Sequence, residues 1–356
     1  MKSLKINSRL YDYEIKFINN FTVELANIIG HNHCTFVIDK NVYGLHNDLF
    51  KNIDKDNIFF INAIEEEKNI NTSLELINFW AMKNVRKNHK VICIGGGITQ
   101  DIVSFSSNMY LRNIEWVFFP TTLLAMSDSC IGGKCGINMN EYKNQLGVFY
   151  PPKQILIDKI FLNTLSDLDY INGWGEILKF SLTKDGKFFG KLTKVKKFIP
   201  CDEIESFIYE GLKIKKHIIE DDEFEHDRRR VLNYGHTFGH ALESYTKNKI
   251  PHGAAVIWGI DVVNYIAYRE KILDKTVYLK IKELIKKDFI INEIIIDDPS
   301  SLFNILFRDK KVKDNTMHFA LLTKISRLII YPVELNSYLL DIFKDYLRET
   351  SEYYRN

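Results

Sequence analysis

The sequence predicts a two-part α/β protein, with an N-terminal half built on a mostly parallel sheet and a C-terminal half that is almost entirely helical. Three observations carry this prediction. Short β-branched and aromatic runs alternate with helical patterns through the first 160 residues. From about Lys159 onward the apolar spacing becomes that of helices. At 356 residues and 46% hydrophobic content the chain is long enough for two domains and apolar enough to fold them. In order, "CTFVID" (34 to 39), "NIFFIN" (57 to 62), "KVICIGG" (90 to 96), "WVFFPT" (116 to 121) and "QILID" (154 to 158) read as strands. Leu74, Ile77, Ala81 and Val85 mark one face of an intervening helix. Apolar stripes in 203 to 220, 232 to 246, 253 to 270 and 275 to 287 predict the later helices.

Charge sets bounds on function. Lys and Arg (48) nearly balance Asp and Glu (46), so a net charge of +2 provides no whole-chain field for nucleic acid or a membrane surface, and any anion site must be local. "MKSLKINSRLYDYEIKF" is interrupted by charges and lacks a signal peptide's apolar stretch, and no later run is long enough to span a membrane, which predicts a cytoplasmic protein. Five cysteines without a CxxC pair suggest neither a disulfide framework nor a cysteine-based zinc module. A metal, if bound, needs His and carboxylate.

Several stretches carry residues suited to such chemistry. "IDKNV" (38 to 42) ends a strand with an Asp and an Asn able to meet ribose hydroxyls or to serve as turn residues. In "CIGGGITQD" (93 to 101), three glycines between strand and helix would admit a pyrophosphate at a helix amino end, and equally suit a tight turn. "PTTLLAMSDSCIGGKCGINMNEYKNQLGVFYPP" (120 to 152) mixes polar, Gly-rich backbone with Asp128, Lys134, Lys143 and Asn144 between apolar flanks, as site-lining segments do. Glu176 and Lys179 in "GWGEILKF" share a helical face, a spacing that a surface salt bridge also explains. Lys215 falls on the apolar stripe of Ile204, Phe207, Ile208, Gly211 and Ile218, so it must find an anion or snorkel outward. "LNYGHTFGHALE" (232 to 243) places His236 and His240 one helical turn apart, where they could share a metal or each bond a core neighbour. His252 in "PHGAAV" follows twelve residues later, and two histidines with a carboxylate would suit a catalytic zinc.

Together these segments resemble the 3-dehydroquinate synthase family, the dehydroquinate-synthase-like sugar phosphate cyclases. "IDKNV", the GGG turn, "PTTLLA", "DSCIGGKCGIN", "KNQLGVFYPP", "FLNTL", "GEILK", "RRVLNYGHTFGHALE", "HGAAV" and "RDKK" stand in the family's order over nearly the whole chain. The resemblance implies an α/β N-terminal Rossmann-like NAD domain (residues 1–160) followed by an all-α metal- and substrate-binding domain (161–356). It places zinc, with cobalt as an alternative, on Glu176, His236 and His252. His240 becomes a substrate-side histidine near the phosphate. Substrate positions fall on Asp128, Lys134, Asn144, Lys179, Lys215, Arg229, Asn233, Lys310 and Lys311, and Arg112 matches an arginine that reaches across a dimer interface. NAD positions fall on Asp39, Asn41, Gly95, Gly96, Gly97, Asp101, Thr121, Thr122, Lys143, Phe161 and Thr164.

The implied reaction converts 3-deoxy-D-arabino-heptulosonate 7-phosphate to 3-dehydroquinate and phosphate in the shikimate pathway, with NAD recycled in each turnover. A homodimer acting on a small sugar phosphate is expected. The chain departs from common members at Ala254, where Glu is frequent, and at Asn113, where Gly is frequent. It also departs in "EEEKNINTSLE" (65 to 75), which keeps only part of a Gly-Glu-x-x-Lys segment that touches NAD, so looser NAD binding is expected. The alternatives are a cyclase making another cyclitol and a metal-dependent polyol dehydrogenase; retained Asn233 and His240 speak against sedoheptulose phosphate as substrate.

Overall fold

The computed structural model describes residues 2–140, 142–184, 186–196, 198–289, 294, 296–307 and 314–350. The chain divides into two compact units: residues 1–166 with 215–224, and residues 167–214 with 225–356.

The first unit is built on strands β1 (Ser3–Ile6), β2 (Tyr13–Phe17), β3 (Cys34–Asp39), β4 (Ile58–Ile61), β5 (Lys90–Gly95), β6 (Trp116–Pro120), β7 (Lys134–Met139), β8 (Tyr142–Phe149) and β9 (Gln154–Ile157). Seven of them form one sheet in the order β1-β2-β9-β6-β5-β3-β4. Every pairing is parallel except β1 with β2. Val37, Ile38, Ile92, Ile94, Phe118 and Phe119 are completely buried. Continuous apolar runs of this kind form strands covered on both faces, and each such side chain stabilises by roughly 1.5–3 kcal/mol. The chain leaves β3 toward β4, then returns to place β5 on the other side of β3, so the carboxyl ends of β3 and β5 flank the point where strand order reverses. Open parallel sheets bind ligands at such a point.

Two sequence expectations need correction here. The helix between β4 and β5, Ile70–Met82, buries Thr72, Ser73, Leu76 and Trp80. Leu74 is half exposed and Ala81 faces solvent, so the buried face is turned by one residue from the predicted Leu74–Ile77–Ala81 face. The bulk of Trp80 decides this, since burying an indole outweighs burying Ala81. The stretch 120–152 is also more ordered than a Gly-rich segment suggests. It forms a turn of π-helix, Ala125–Ser129, and then the antiparallel hairpin β7–β8.

The second unit contains helices Asp167–Thr183, Gly186–Leu192, His236–Tyr245, His252–Arg269, Lys275–Asp288, Pro299–Phe307 and Ser337–Thr350. Helix Ile204–Asp221 begins in this unit and ends in the first. An antiparallel hairpin, β10 (Thr316–Lys324) with β11 (Arg327–Glu334), interrupts the predicted run of helices. Helix His252–Arg269 is buried continuously from Gly253 to Ala267, as a helix apolar on all sides must be. The metal-ligating candidates lie at its amino end and on two helices packed against it.

Candidate functional site

In the first unit, the GGG turn closes β5 and opens helix Gly97–Met109, whose cap residue Gly96 leaves the first backbone N–H groups without a side-chain cap. A Cβ on Gly95 would lie 2.5 Å from Thr99 Oγ1, so only glycine fits there. A Cβ on Gly97 would meet nothing nearer than Ser129 Oγ at 3.8 Å, so its side of the turn is open to a ligand. Uncapped N–H groups and the helix dipole suit a phosphate at that point. Asp39 ends β3 and accepts a hydrogen bond from Asn41 N at 2.9 Å, while burial raises its carboxyl pKa. Thr121 is buried and donates its N–H to Gly95 O at 2.9 Å, and Thr122 Oγ1 accepts from Ala125 N at 3.1 Å. Phe161 is buried edge-on against Phe21, and the exposed Thr164 meets His46 Nε2 through its hydroxyl at 2.8 Å.

A second group in this unit surrounds Lys68. Its ammonium lies 2.8 Å from Asn144 Oδ1, 3.3 Å from Asp101 Oδ2 and 3.5 Å from Glu65 Oε1. Burial lowers the Lys68 pKa, but Asp101 and Glu65 outweigh it and hold the lysine charged. Asp101 is pushed up to about 6 because burial exceeds the opposing effect of Lys68. Asn144 takes a left-handed backbone (φ 52°) and occupies the space that a Cβ on Gly136 would fill. The sequence marks the stretch 65 to 75 as keeping part of a Gly-Glu-x-x-Lys segment without assigning a role to either residue; the E-x-x-K spacing of Glu65 and Lys68 is the signal that would have done so. Lys215, in the second half of helix Ile204–Asp221, reaches Asp128 Oδ1 at 2.9 Å and Asp128 O at 2.7 Å. It is 5% exposed, so it finds its anion and does not snorkel. The π-turn puts both acceptors of Asp128 toward one ammonium, and such turns recur at functional sites. Lys134, Lys143 and Arg112 are exposed, the last within three consecutive left-handed residues, Leu111, Arg112 and Asn113.

In the second unit, Glu176, His236 and His252 converge from three helices. Glu176 is completely buried, and its Oε1 lies 3.5 Å from both His236 Nε2 and His252 Nε2. That spacing is long for a hydrogen bond, but two ligands each about 2.0–2.1 Å from one tetrahedral ion would stand roughly 3.3 Å apart. The donors fit a divalent metal. Glu176 also ion-pairs with Lys179, 2% exposed, so the pair is internal and not a surface salt bridge. Burial acts to raise the Glu176 pKa, yet Lys179 and His252 hold it well below the usual carboxylate range. His236 is kept neutral by burial and neighbouring cations. Its Nδ1 donates to Tyr234 O at 3.2 Å, which leaves Nε2 as the free donor atom. For His252 burial is outweighed by the carboxylates of Glu176 and Glu243, and the pKa rises.

Backbone contact sets these positions. A Cβ on Gly175 would lie 2.2 Å from Gly253 O, so helices Asp167–Thr183 and His252–Arg269 touch main chain to main chain beside Glu176 and His252. Asn172 Oδ1 accepts from Gly253 N at 2.5 Å and caps the second of these helices. Gly235 turns the chain into helix His236–Tyr245 with φ 77°, a conformation costly for a side chain.

His240 is exposed on the same helix, its ring 5.4 Å from His236 and 5.6 Å from His252. Asn233 Nδ2 donates to Glu225 Oε1 at 2.9 Å. Within "DRRRV", Arg228 and Arg230 face solvent while Arg229 is 4% exposed, so the run is not simply a solvated basic patch. Lys310 and Lys311 lie outside the described residues. Glu243, which the sequence reading left unassigned, places Oε2 3.2 Å from His252 Nδ1.

Known proteins share this chain's sequence pattern and fold. Residues 58–172 match the pattern of 3-dehydroquinate synthase N-terminal domains and residues 173–312 that of the C-terminal domains. The chain is 35% identical to a 3-dehydroquinate synthase of Pelagibacter ubique over 96% of this chain and 97% of the relative, and 34% identical to that of Clostridium tetani over 82% and 79%. Among solved structures, a 2-deoxy-scyllo-inosose synthase complexed with carbaglucose-6-phosphate, NAD+ and Co2+ has the same fold, with TM-score 0.87 and 20% identity over 97% of this chain and 99% of that one. A probable glycerol dehydrogenase of Sinorhizobium meliloti is more distant, with TM-score 0.64 and 11% identity over 95% and 97%. Both halves of the chain, one with its glycine turn at the strand-order reversal and the other with its buried carboxylate between two imidazoles, therefore place it in the 3-dehydroquinate synthase family.

Proposed function

We propose that this protein converts 3-deoxy-D-arabino-heptulosonate 7-phosphate to 3-dehydroquinate and phosphate, with NAD and a divalent metal as cofactors. The observation that carries the reading is Glu176, fully buried with its Oε1 3.5 Å from two imidazole nitrogens, in a chain of this family. NAD held at the GGG turn would supply reversible hydride transfer, and a divalent metal held by Glu176, His236 and His252, zinc by the N/O donor set or cobalt in its place, would supply Lewis acidity toward a substrate hydroxyl.

The remaining work falls to the chain's own groups. Glu176 supplies one anionic donor and His236 and His252 two imidazole donors, with Lys179 balancing the carboxylate. The GGG turn receives the NAD pyrophosphate, and Asp39 with Asn41 meets ribose hydroxyls. Arg229 holds the substrate carboxylate through its planar fork. Asn233 and His240 hold the phosphate, and His240 carries the proton exchanged as it leaves. The Lys215–Asp128 pair and Asn144 position ring hydroxyls. We also propose a homodimer, in which Arg112 serves the neighbouring protomer's site.

The test is phosphate release from the heptulosonate phosphate by protein loaded with zinc and catalytic NAD. Stoichiometric release without net NADH supports the reading. Steady NADH accumulation on a polyol would favour the dehydrogenase alternative, and release only from another sugar phosphate would favour a different cyclase.

A further inference from the structure

We infer that Glu243 positions His252 for the metal, accepting a hydrogen bond from Nδ1–H and thereby presenting Nε2 as the donor atom. The inference rests on the proposed metal role of Glu176, His236 and His252.

The two nitrogens of His252 face different carboxylates. Nε2 lies 3.5 Å from Glu176 Oε1, and Nδ1 lies 3.2 Å from Glu243 Oε2. A carboxylate accepts only, and the Nδ1 contact is the shorter and the hydrogen-bonded one, so in the neutral ring Nδ1 carries the hydrogen and Nε2 its lone pair. Glu243 is 13% exposed, and the imidazole N–H is a hydrogen-bond donor to this largely enclosed carboxylate. The same helix, His236–Tyr245, therefore carries one donor and the residue that orients another from helix His252–Arg269. The two imidazoles are held differently. His236 Nδ1 donates to the carbonyl of Tyr234, which fixes the tautomer. Glu243 fixes the tautomer of His252 and adds a negative charge, which makes that ring the stronger donor.

His240, Glu243 and His252 also bring donor atoms within 4.8 Å of one another, so Glu243 could itself be a ligand. Against this, the Glu176 group is more deeply buried, and His240 is exposed. An ion between His252 Nδ1 and Glu243 would leave the fully buried Glu176 without it.

Zinc affinity of the full-length protein, measured by competition with a chromophoric chelator, separates these possibilities. The visible spectrum of the Co2+-substituted protein reports the ligand set. Glu243→Ala should bind zinc about 10- to 100-fold more weakly. Glu243→Gln should lose less, because its amide oxygen still accepts from Nδ1. Both should keep the wild-type cobalt spectrum, since the three donors are unchanged. The Gln variant preserves side-chain volume and carries the test if the Ala variant does not fold. Wild-type zinc affinity in both variants overturns the inference. Loss of binding in Glu243→Gln as complete as in His252→Ala, or an altered cobalt spectrum, also overturns it by making Glu243 a ligand. His252→Ala with undiminished zinc affinity would overturn the metal reading beneath it.

Discussion

Replacing Gly175 by alanine should damage the proposed metal site without touching any of its proposed donor atoms. The new Cβ would stand 2.2 Å from Gly253 O, 2.7 Å from Gly253 C and 2.8 Å from Gly253 Cα. All three are backbone atoms, so no side chain can rotate away. Ordinary contact requires the helices to separate by about 1.2 Å. That movement acts one residue from both Glu176 and His252, whereas ligand distances at a metal tolerate only about 0.2 Å. Overpacking of this kind costs roughly 1–3 kcal/mol, against a gain of up to about 1 kcal/mol from replacing glycine in a helix. A lower unfolding midpoint and at least about tenfold weaker zinc binding are expected. Gly190→Ala is the control: it lies in helix Gly186–Leu192 with nothing within 4 Å of its Cβ, so the same exchange should be neutral or stabilising. Wild-type zinc affinity and midpoint in Gly175→Ala would refute the claim that backbone contact sets the donors.

Three further outcomes are expected. His236→Ala should lose metal and activity together, whereas His240→Ala should keep metal while activity falls about 100- to 10,000-fold; equal metal loss in both would make them a joint metal site. Lys215→Met removes the cation 2.9 Å from Asp128 Oδ1 and should cost about 3 kcal/mol, with part regained in the Asp128→Asn/Lys215→Met double variant; additive losses in urea unfolding would deny the coupling. Asp101, raised from 3.8 to about 6, binds its proton more tightly in the folded chain, so its stabilising contribution is present below about pH 4 and lost as pH rises through about 6. Asp101→Asn should therefore gain stability relative to wild type between about pH 4 and pH 7, by about 3 kcal/mol at most. Parallel midpoint curves across that window would contradict it.

The parallel strands were legible because a strand buried on both faces must be apolar at successive residues, and "CTFVID" and "KVICIG" are. β1 and β2 were not, since "SLKI" and "YEIKF" alternate with charges and are too short for their period to stand out from surface sequence. The β10–β11 hairpin escaped for another reason. "HFALLTK" satisfies a helical stripe as well as a strand, and only its partner "RLIIYPVE" decides between them. At the site, the histidine spacing announced itself because imidazoles are rare on an apolar face. Glu243 did not, because a glutamate near a helix end is ordinary. Its role depends on His252, which arrives from another helix.

The two units achieve precision differently. Each proposed metal donor adjoins a glycine where main chain meets main chain: Gly175 precedes Glu176, Gly253 follows His252, and Gly235 precedes His236. Gly259 would place a Cβ 1.9 Å from Gly235 O, which ties helix His252–Arg269 to the start of helix His236–Tyr245 as well. Donors set by backbone contact cannot relax by changing rotamer, so the triad is held by the same helix packing that stabilises the unit. Asn144, Asp128 and Lys68, in contrast, are placed by a left-handed residue, a π-turn and a side-chain network. Substitution there can move a hydroxyl or amide without shifting a helix. Changes of substrate among related cyclases should therefore collect in the 120–152 segment and its partners, while the three glycines beside the donors stay as they are.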